Sequence, residues 1–401
     1  MAHVLDGITV IDAGSWIAGP AAATVMADFG AEVIKVEPPG GDSYRNYYQL
    51  PGAPRSDLNY AWLLGSRNKK SVVLDLAVPE GREALLALIA RADVFVTNQP
   101  PARVERFRIR YEDLAEVNPR LVYAALSGYG ERGDEANKLG FDVNAWWARS
   151  GMMDIVRAPG APPTGSAAGM GDHPTAMALF GAIMMALYQR ERTGRGARVS
   201  SSLMANGAWA NAIFIQAALC GATFVPRAPR DRPLNPLANL YQCRDGRWFL
   251  LTVVREERDW ERFARVVGRA DLVADARFAT PAARRANSAA LVAVLDEVFA
   301  AKNWAEWREV LSAHPFIFGP VASLGDVVQD HQMSVNEALV PLDHPGRPGL
   351  STIMSPIHMA GESKVPPRPA PEIGEHTEEV LRRAGYDDAA IERLRSTGAL
   401  G

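Results

Sequence analysis

Apolar and polar positions alternate along the first third of the chain in a strand–helix–strand rhythm. Residues 8–12 form a short apolar strand, a turn at Gly14 follows, residues 20–29 have helical character, and residues 31–37 return as a second strand. Further strands are predicted at 71–74, 94–97 and 122–126, with a helix at 80–91. Such alternation predicts an α/β fold with a mostly parallel, doubly wound, Rossmann-like sheet. Its ligand crevice lies at the carboxyl ends of the strands.

Residues 176–192 read as one apolar helix rich in Ala, Leu and Met, with Arg190 and Arg192 in its last turn and a stop at Thr193-Gly194. Just before it stands Gly169-Met170-Gly171-Asp172-His173-Pro174-Thr175. This places Asp172 at the helix N-cap, where free N–H groups and the dipole favour a carboxylate by about 0.3–1 kcal/mol. Gly169 and Gly171 remove side chains that would block a ligand. The same residue also satisfies the ordinary needs of a helix cap, so both readings stand at this point.

A strand is expected at 197–201 and a helix through about residue 218. Pro, Arg and Asp then crowd residues 225–236, the mark of an interdomain crossing. Residues 240–254 read as a hairpin turning at Arg244-Asp245-Gly246, and helices are expected at 259–267, 289–300 and 304–312, making a smaller α+β domain. The chain leaves it between 319 and 342. Residues 366–371 form an extended Pro-rich connector, and 377–400 read as two short helices interrupted at Gly385.

With 401 residues, two domains are the prior expectation. A hydrophobic share of 48% and a charged share of 22% describe a globular chain, and 43 Lys and Arg against 46 Asp and Glu leave no nucleic-acid footprint. Cys220 and Cys243 are the two cysteines, which implies no disulfide framework and fits a reducing cytoplasm. Met1-Ala2-His3 enters a folded pattern without a leader, and residues 176–188 fall short of the roughly 20 needed to span a bilayer. No membrane partner is expected.

Several chemistries fail on spacing. Gly14-Ser15-Trp16-Ile17-Ala18-Gly19-Pro20 sets Trp where the second glycine of a dinucleotide fingerprint must let pyrophosphate approach, and Pro20 removes a donor. The seven histidines are scattered, without HExxH or a Cys pair, so no metal site is expected. A serine elbow and a phosphate loop are also missing. Arg67, Lys69, Lys70, Arg103 and Arg106 read individually as solvated charges on loops of the first sheet.

Motifs spread over nearly the whole chain resemble the class III CoA-transferases, the family that includes carnitine, bile-acid and formyl/oxalate CoA-transferases and the 2-methylacyl-CoA racemases. They include Leu5-Asp6-Gly7-Ile8, Ala18-Gly19-Pro20, Asp28-Phe29-Gly30-Ala31-Glu32-Val33-Ile34-Lys35-Val36-Glu37, Asn68-Lys69-Lys70-Ser71, Leu74-Asp75 and Asn118-Pro119-Arg120-Leu121. Ser127-Gly128-Tyr129-Gly130, Gly140-Phe141-Asp142, Gly171-Asp172, Arg190-Glu191-Arg192-Thr193-Gly194-Arg195-Gly196 and Gly374-Glu375-His376-Thr377 follow in the family's order.

The resemblance implies that Asp172 is a nucleophile that attacks an acyl-CoA thioester, and that CoA then moves to a small carboxylic acid through anhydride and aspartyl-CoA thioester intermediates. Coenzyme A is then a substrate, and no tightly bound cofactor is required. Positions matching the family's CoA contacts are Ile17, Ala18, Leu74, Asp75, Asn98, Arg106, Gly140 and Phe141. Leu74 also suits a plain core strand. Two departures stand out. Pro38 replaces a basic residue after Glu37, and no glycine-rich loop appears at 234–239, which argues against oxalate as acceptor.

Racemase relatives move a proton with a His where this chain has Phe141, and a phenyl ring cannot do that work. His173 is the nearby substitute, with a surface role as its alternative. A CoA-binding protein without turnover is the rival outside enzymology, and an intact Asp172 weighs against it. Asn235-Pro236-Leu237, Tyr241 and Asp245-Gly246-Arg247-Trp248 resemble the branch handling 2-hydroxy or aryl acids. Trp146 and Trp147 suit either an apolar acid pocket or the core. The resemblance also implies a large CoA-binding domain over 1–224, a small domain over 225–330, a return to the large domain over 331–401, and two ring-like subunits interlinked as a homodimer.

Overall fold

Six parallel strands carry the fold in a computed structural model that describes residues 3–401; Met1 and Ala2, read above for a leader, lie outside them. They are β1 (Thr9–Asp12), β2 (Glu32–Glu37), β3 (Lys69–Val73), β4 (Val94–Thr97), β5 (Val122–Ser127) and β6 (Arg198–Ser202), in the order β3-β2-β1-β4-β5-β6. Val10 of β1 is in register with Val33 on one side and Val94 on the other. Strand order reverses between β1 and β4. In a doubly wound sheet the loops leaving those two strands part and open a crevice there.

Strands β1 to β5 bury both of their faces, which is why they read as largely apolar runs, whereas the edge strand β6 is exposed along much of its length. Val10, Val33, Val94, Val96 and Val122 pack toward helices Ala18–Asp28 and Asp172–Thr193. Ile11, Ile34, Val72, Phe95 and Tyr123 point the other way, toward Pro79–Ile89, Thr377–Arg383 and Asp388–Ser396. The Ala18–Asp28 helix is buried at every residue and made mostly of small side chains, which lets Asp172–Thr193 lie close against it. Pro20 stands in its first turn, where a missing N–H costs nothing.

The edge strand β3 is not left open. The Ser71 carbonyl accepts from the His376 N–H at 2.9 Å, the Val73 N–H donates to Thr377 Oγ1 at 3.1 Å, and the Asp75 N–H donates to the Ala399 carbonyl at 2.8 Å. Residues from the far end of the sequence thus satisfy groups that would otherwise template aggregation.

One compact unit comprises the residues up to Asp154, Thr164–Ala222 and His331–Gly401. The expected single helix through residue 218 is two, Leu203–Ala210 and Ala212–Leu219, broken at Asn211, whose side-chain amide donates to the Ser150 carbonyl at 2.8 Å. The other unit comprises Ile155–Pro163 and Thr223–Asp330. Residues 155–163, assigned above to the large domain, group with this unit, and the Arg227 guanidinium donates to the Val156 carbonyl. Its antiparallel sheet holds β7 (Ala238–Gln242), β8 (Trp248–Thr252) and β9 (Ile317–Pro320). β9 escaped the sequence pattern because Gly319 and Pro320 depress strand propensity. Tyr241, Phe249, Phe299 and Trp307 fill its core.

Candidate active site

A cavity of about 630 Å³ opens at the strand-order reversal, lined by the turn after β1, the loop after β4, residues 126–128 at the end of β5, and Asp172. Asp172 is the first residue of its helix, and Gly171 is the N-cap, so the N-cap position predicted for Asp172 is corrected by one residue. The carboxylate is therefore not spent on capping. No hydrogen bond from a described residue reaches it.

The glycines explain how it gets there. Gly169 adopts φ +84°, a left-handed turn that brings the chain into the helix. A Cβ on Gly171 would lie 2.6 Å from Trp146 Cγ, so only glycine lets the helix start pack under that indole. The Gly171 N–H donates to Asp142 Oδ2 at 3.1 Å, and the Val143 N–H donates to Asp142 Oδ1 at 2.8 Å.

Burial, with Asp142 adding like charge, pushes the Asp172 carboxyl up to about 7. Desolvation thus outweighs the helix dipole, which is worth only about 0.3–1 kcal/mol. His173 packs over Gly169 and keeps a solvent-facing side; surrounding protein and the Arg67 guanidinium hold it below the usual histidine range.

Of the residues singled out from sequence, Ile17, Ala18, Asn98, Gly140 and Phe141 share this cavity with Asp172. Leu74, Asp75 and Arg106 do not line it. Leu74 is buried in the core, and Asp75 folds back to accept from the Ala77 N–H at 2.9 Å. Arg106 is exposed, 5.7 Å from the Phe107 ring, while Arg103 of the same helix lines the cavity and donates to Gln99 at 3.1 Å. Trp146 and Trp147 stack at 6.0 Å, Trp146 buried and Trp147 donating to the Thr164 carbonyl at 2.7 Å, so neither walls the cavity. Tyr241 is core in the other unit.

The largest surprise is a set of buried charges behind the β1 turn. Lys69, read as a solvated loop cation, is buried in β3 with its ammonium 2.9 Å from Asp12 and 2.7 Å from the Pro20 carbonyl. Arg67 is buried too, with both carboxylate oxygens of Asp28 as acceptors at 2.9 and 2.7 Å. Lys35 bridges Asp42 at 2.9 Å and Asp12 at 3.8 Å, and it donates to the Gly14 carbonyl. Burial pulls the Lys35 ammonium down, but Asp12 and Asp42 outweigh it and hold its pKa above the lysine range. Glu37 accepts from Arg45, Ser71 and the Asp42 N–H. The signal was present: Val33-Ile34-Lys35-Val36-Glu37 sets charges inside a strand pattern that otherwise buries everything.

This network fixes Ser15 and Trp16. Asn98 accepts from the Ser15 N–H at 2.8 Å and donates to the Ser15 carbonyl at 2.7 Å, while Ser15 Oγ donates to Asp42 at 2.7 Å. Trp16 is held at φ +62°, a left-handed conformation that costs a non-glycine residue about 1–2 kcal/mol.

The family model described as "CoA-transferase family III" matches residues 5–377. The chain is similar to the (R)-2-hydroxy-4-methylpentanoate CoA-transferase of Clostridioides difficile, at 33% identity over 98% of each protein. It is 30% identical to the cinnamoyl-CoA:phenyllactate CoA-transferase of Clostridium sporogenes, covering 98% of this chain and 96% of the relative. Among solved structures, a CAIB/BAIF family protein from Brucella suis superposes with a TM-score of 0.85 at 26% identity, over 96% of this chain and 100% of that one.

Proposed function

The chain belongs to CoA-transferase family III, and from that premise we propose that it moves CoA from an acyl-CoA donor to a free carboxylic acid with Asp172 as covalent nucleophile. The observation that carries this reading is a carboxylate with no hydrogen-bond partner among the described residues, at the start of a helix, on the wall of the cavity at the strand-order reversal. A carboxylate without donors keeps its lone pairs available, and partial burial raises its basicity.

In the first step an Asp172 oxygen bonds to the thioester carbonyl carbon, the C–S bond breaks, and CoA leaves as thiolate. The thiolate attacks the aspartyl carbonyl of the mixed anhydride, releasing the donor acid and leaving an aspartyl-CoA thioester. The acceptor carboxylate displaces CoA to form a second anhydride, and CoA attacks its acyl carbon, freeing Asp172. Backbone N–H groups at the helix start suit the oxyanion formed at each addition. Ile17, Ala18, Asn98, Gly140 and Phe141 are proposed CoA contacts, and Arg103, which lines the cavity where Arg106 does not, is proposed to meet the CoA phosphates. Because relatives are named for 2-hydroxy-4-methylpentanoate and phenyllactate, 2-hydroxy and aryl acids are the acceptors to try first.

Phe141 on the cavity wall supports transfer over racemisation, since an α-proton shift needs a titrating group there. We propose a homodimer, supported by an exposed apolar surface that includes Met185, Tyr188, Trp209, Ile213 and Leu219. The deciding experiment incubates the protein with an acyl-CoA and a labelled acid. Mass spectrometry is expected to show acyl-CoA of the acceptor, and Asp172→Ala to abolish it. Full exchange in that variant would sink the proposal.

A further inference from the structure

Two rings on the wall of the Asp172 cavity are placed at a cost that core packing does not explain. Trp16 is only partly buried, yet it keeps a left-handed backbone that bulky residues avoid. Asn98 clamps the preceding Ser15 from both its N–H and its carbonyl, and Asp42 receives the Ser15 hydroxyl. Lys35 in turn anchors Asp42 at 2.9 Å and holds the Gly14 carbonyl. Strain that neighbours over-determine in this way marks a site where the side chain's direction matters.

The direction is into the cavity. The Trp16 indole meets the Phe141 phenyl edge to face at 5.2 Å and 72°, and the Tyr44 ring lies 6.2 Å from it, tilted by 51°. Phe141 is 55% exposed, an apolar ring facing open space. It adjoins Asp142, whose carboxylate receives the Gly171 N–H, one residue from the nucleophile. Trp16, Phe141 and Asp172 line one cavity.

We propose that Trp16 is the specificity-determining residue: with Phe141 it forms the face that holds the organic group of the acyl being transferred, and it favours acids with bulky apolar side chains over short ones. Asp42 acts as the positioning residue behind it. This inference rests on the CoA-transfer reading. In that scheme the donor's acyl group and the acceptor's are each joined in turn to the Asp172 carboxyl group through one bridging oxygen, so one wall reads both.

The test uses Trp16→Gly, which removes the indole while suiting φ +62°, so that loss of fold is not expected to obscure the result. Trp16→Phe retains a ring. Acceptor selectivity is the kcat/KM ratio of 3-phenylpropanoate over acetate, and donor selectivity is the same ratio for their CoA thioesters. The wild type is expected to favour the bulkier member of each pair. Trp16→Gly lowers both ratios by about tenfold or more, in parallel, and Trp16→Phe restores much of the loss. Unchanged ratios in Trp16→Gly, a fall on one side only, or a wild type that favours acetate would overturn the inference while leaving CoA transfer intact. A wild type that moves CoA to no acid brings down the transferase reading itself, and this inference with it.

Discussion

Asp142 and Asp172 set two carboxylates beside the same cavity, and among the described residues only Asp142 is held by backbone N–H donors, from Val143 at 2.8 Å and Gly171 at 3.1 Å. Asp172 keeps its oxygens free, and its proton is retained to about pH 7 by burial first and by the Asp142 charge second. The proposed nucleophile is thus ionised only in part at neutral pH.

On the proposed mechanism, in which the ionised form attacks, the acidic limb of the kcat/KM profile is expected near pH 7, with activity rising as pH climbs through it. Asp142→Asn removes the like charge and should shift the limb lower by a fraction of a unit, since burial, the larger cause, stays. A limb near the ordinary carboxylate value in the wild type would contradict the environment described for Asp172.

Stability should respond with the opposite sign to most carboxylates. The folded value of about 7 lies above the unfolded 3.8, so between those values the folded chain holds a proton that the unfolded chain has released. Stability contributed by this group is present below about pH 4 and is lost as pH rises through 7. Asp172→Asn is expected to be more stable than the wild type at pH 8 by about 1–3 kcal/mol, the two converging near pH 4. Thermal melts across that range provide the check.

Lys35→Met should destabilise by about 3–5 kcal/mol, because it strands a buried charge. Asp12 keeps Lys69 at 2.9 Å, but Asp42 loses its only ion-pair partner among the described residues. Denaturant midpoints measure the effect. A loss under 1 kcal/mol would mean that water reaches Asp42.

Gly171→Ala places a Cβ 2.6 Å from Trp146 Cγ, closer than real contacts allow, and the backbone beneath Trp146 has to move. Overpacking of this kind costs about 1–3 kcal/mol. The larger expected effect is on kcat, at least about a hundredfold, since a 1 Å displacement of a reacting group can cost that much. Comparing kcat with the melting temperature separates the two.

Much of the large domain was legible because both faces of its strands are buried, so Val10, Ile11, Val94 and Phe95 announce themselves. The position of Asp172 at a helix start was legible through the glycines around it, although the helix begins at Asp172 itself, four residues before the apolar run from 176 and one residue before the start implied by Asp172 as the cap. Charges were misread wherever burial depends on a distant partner: Lys69 needs Asp12, and Arg67 needs Asp28. The choice between Arg103 and Arg106 depended on how one short helix is turned, which spacing alone does not set. The π-helical Val143–Ala148, which positions Trp146, carries no recognisable sequence signal.

The closing of the β3 edge by residues 376–399 also bears on synthesis. A ribosome delivers β3 some three hundred residues before the segment that covers it, at roughly 5–20 residues per second. For that interval the nascent sheet waits with Val73 and Asp75 unpaired at its margin, a period in which chaperones would be needed most. Docking of the Thr377–Arg383 helix is the event that ends it.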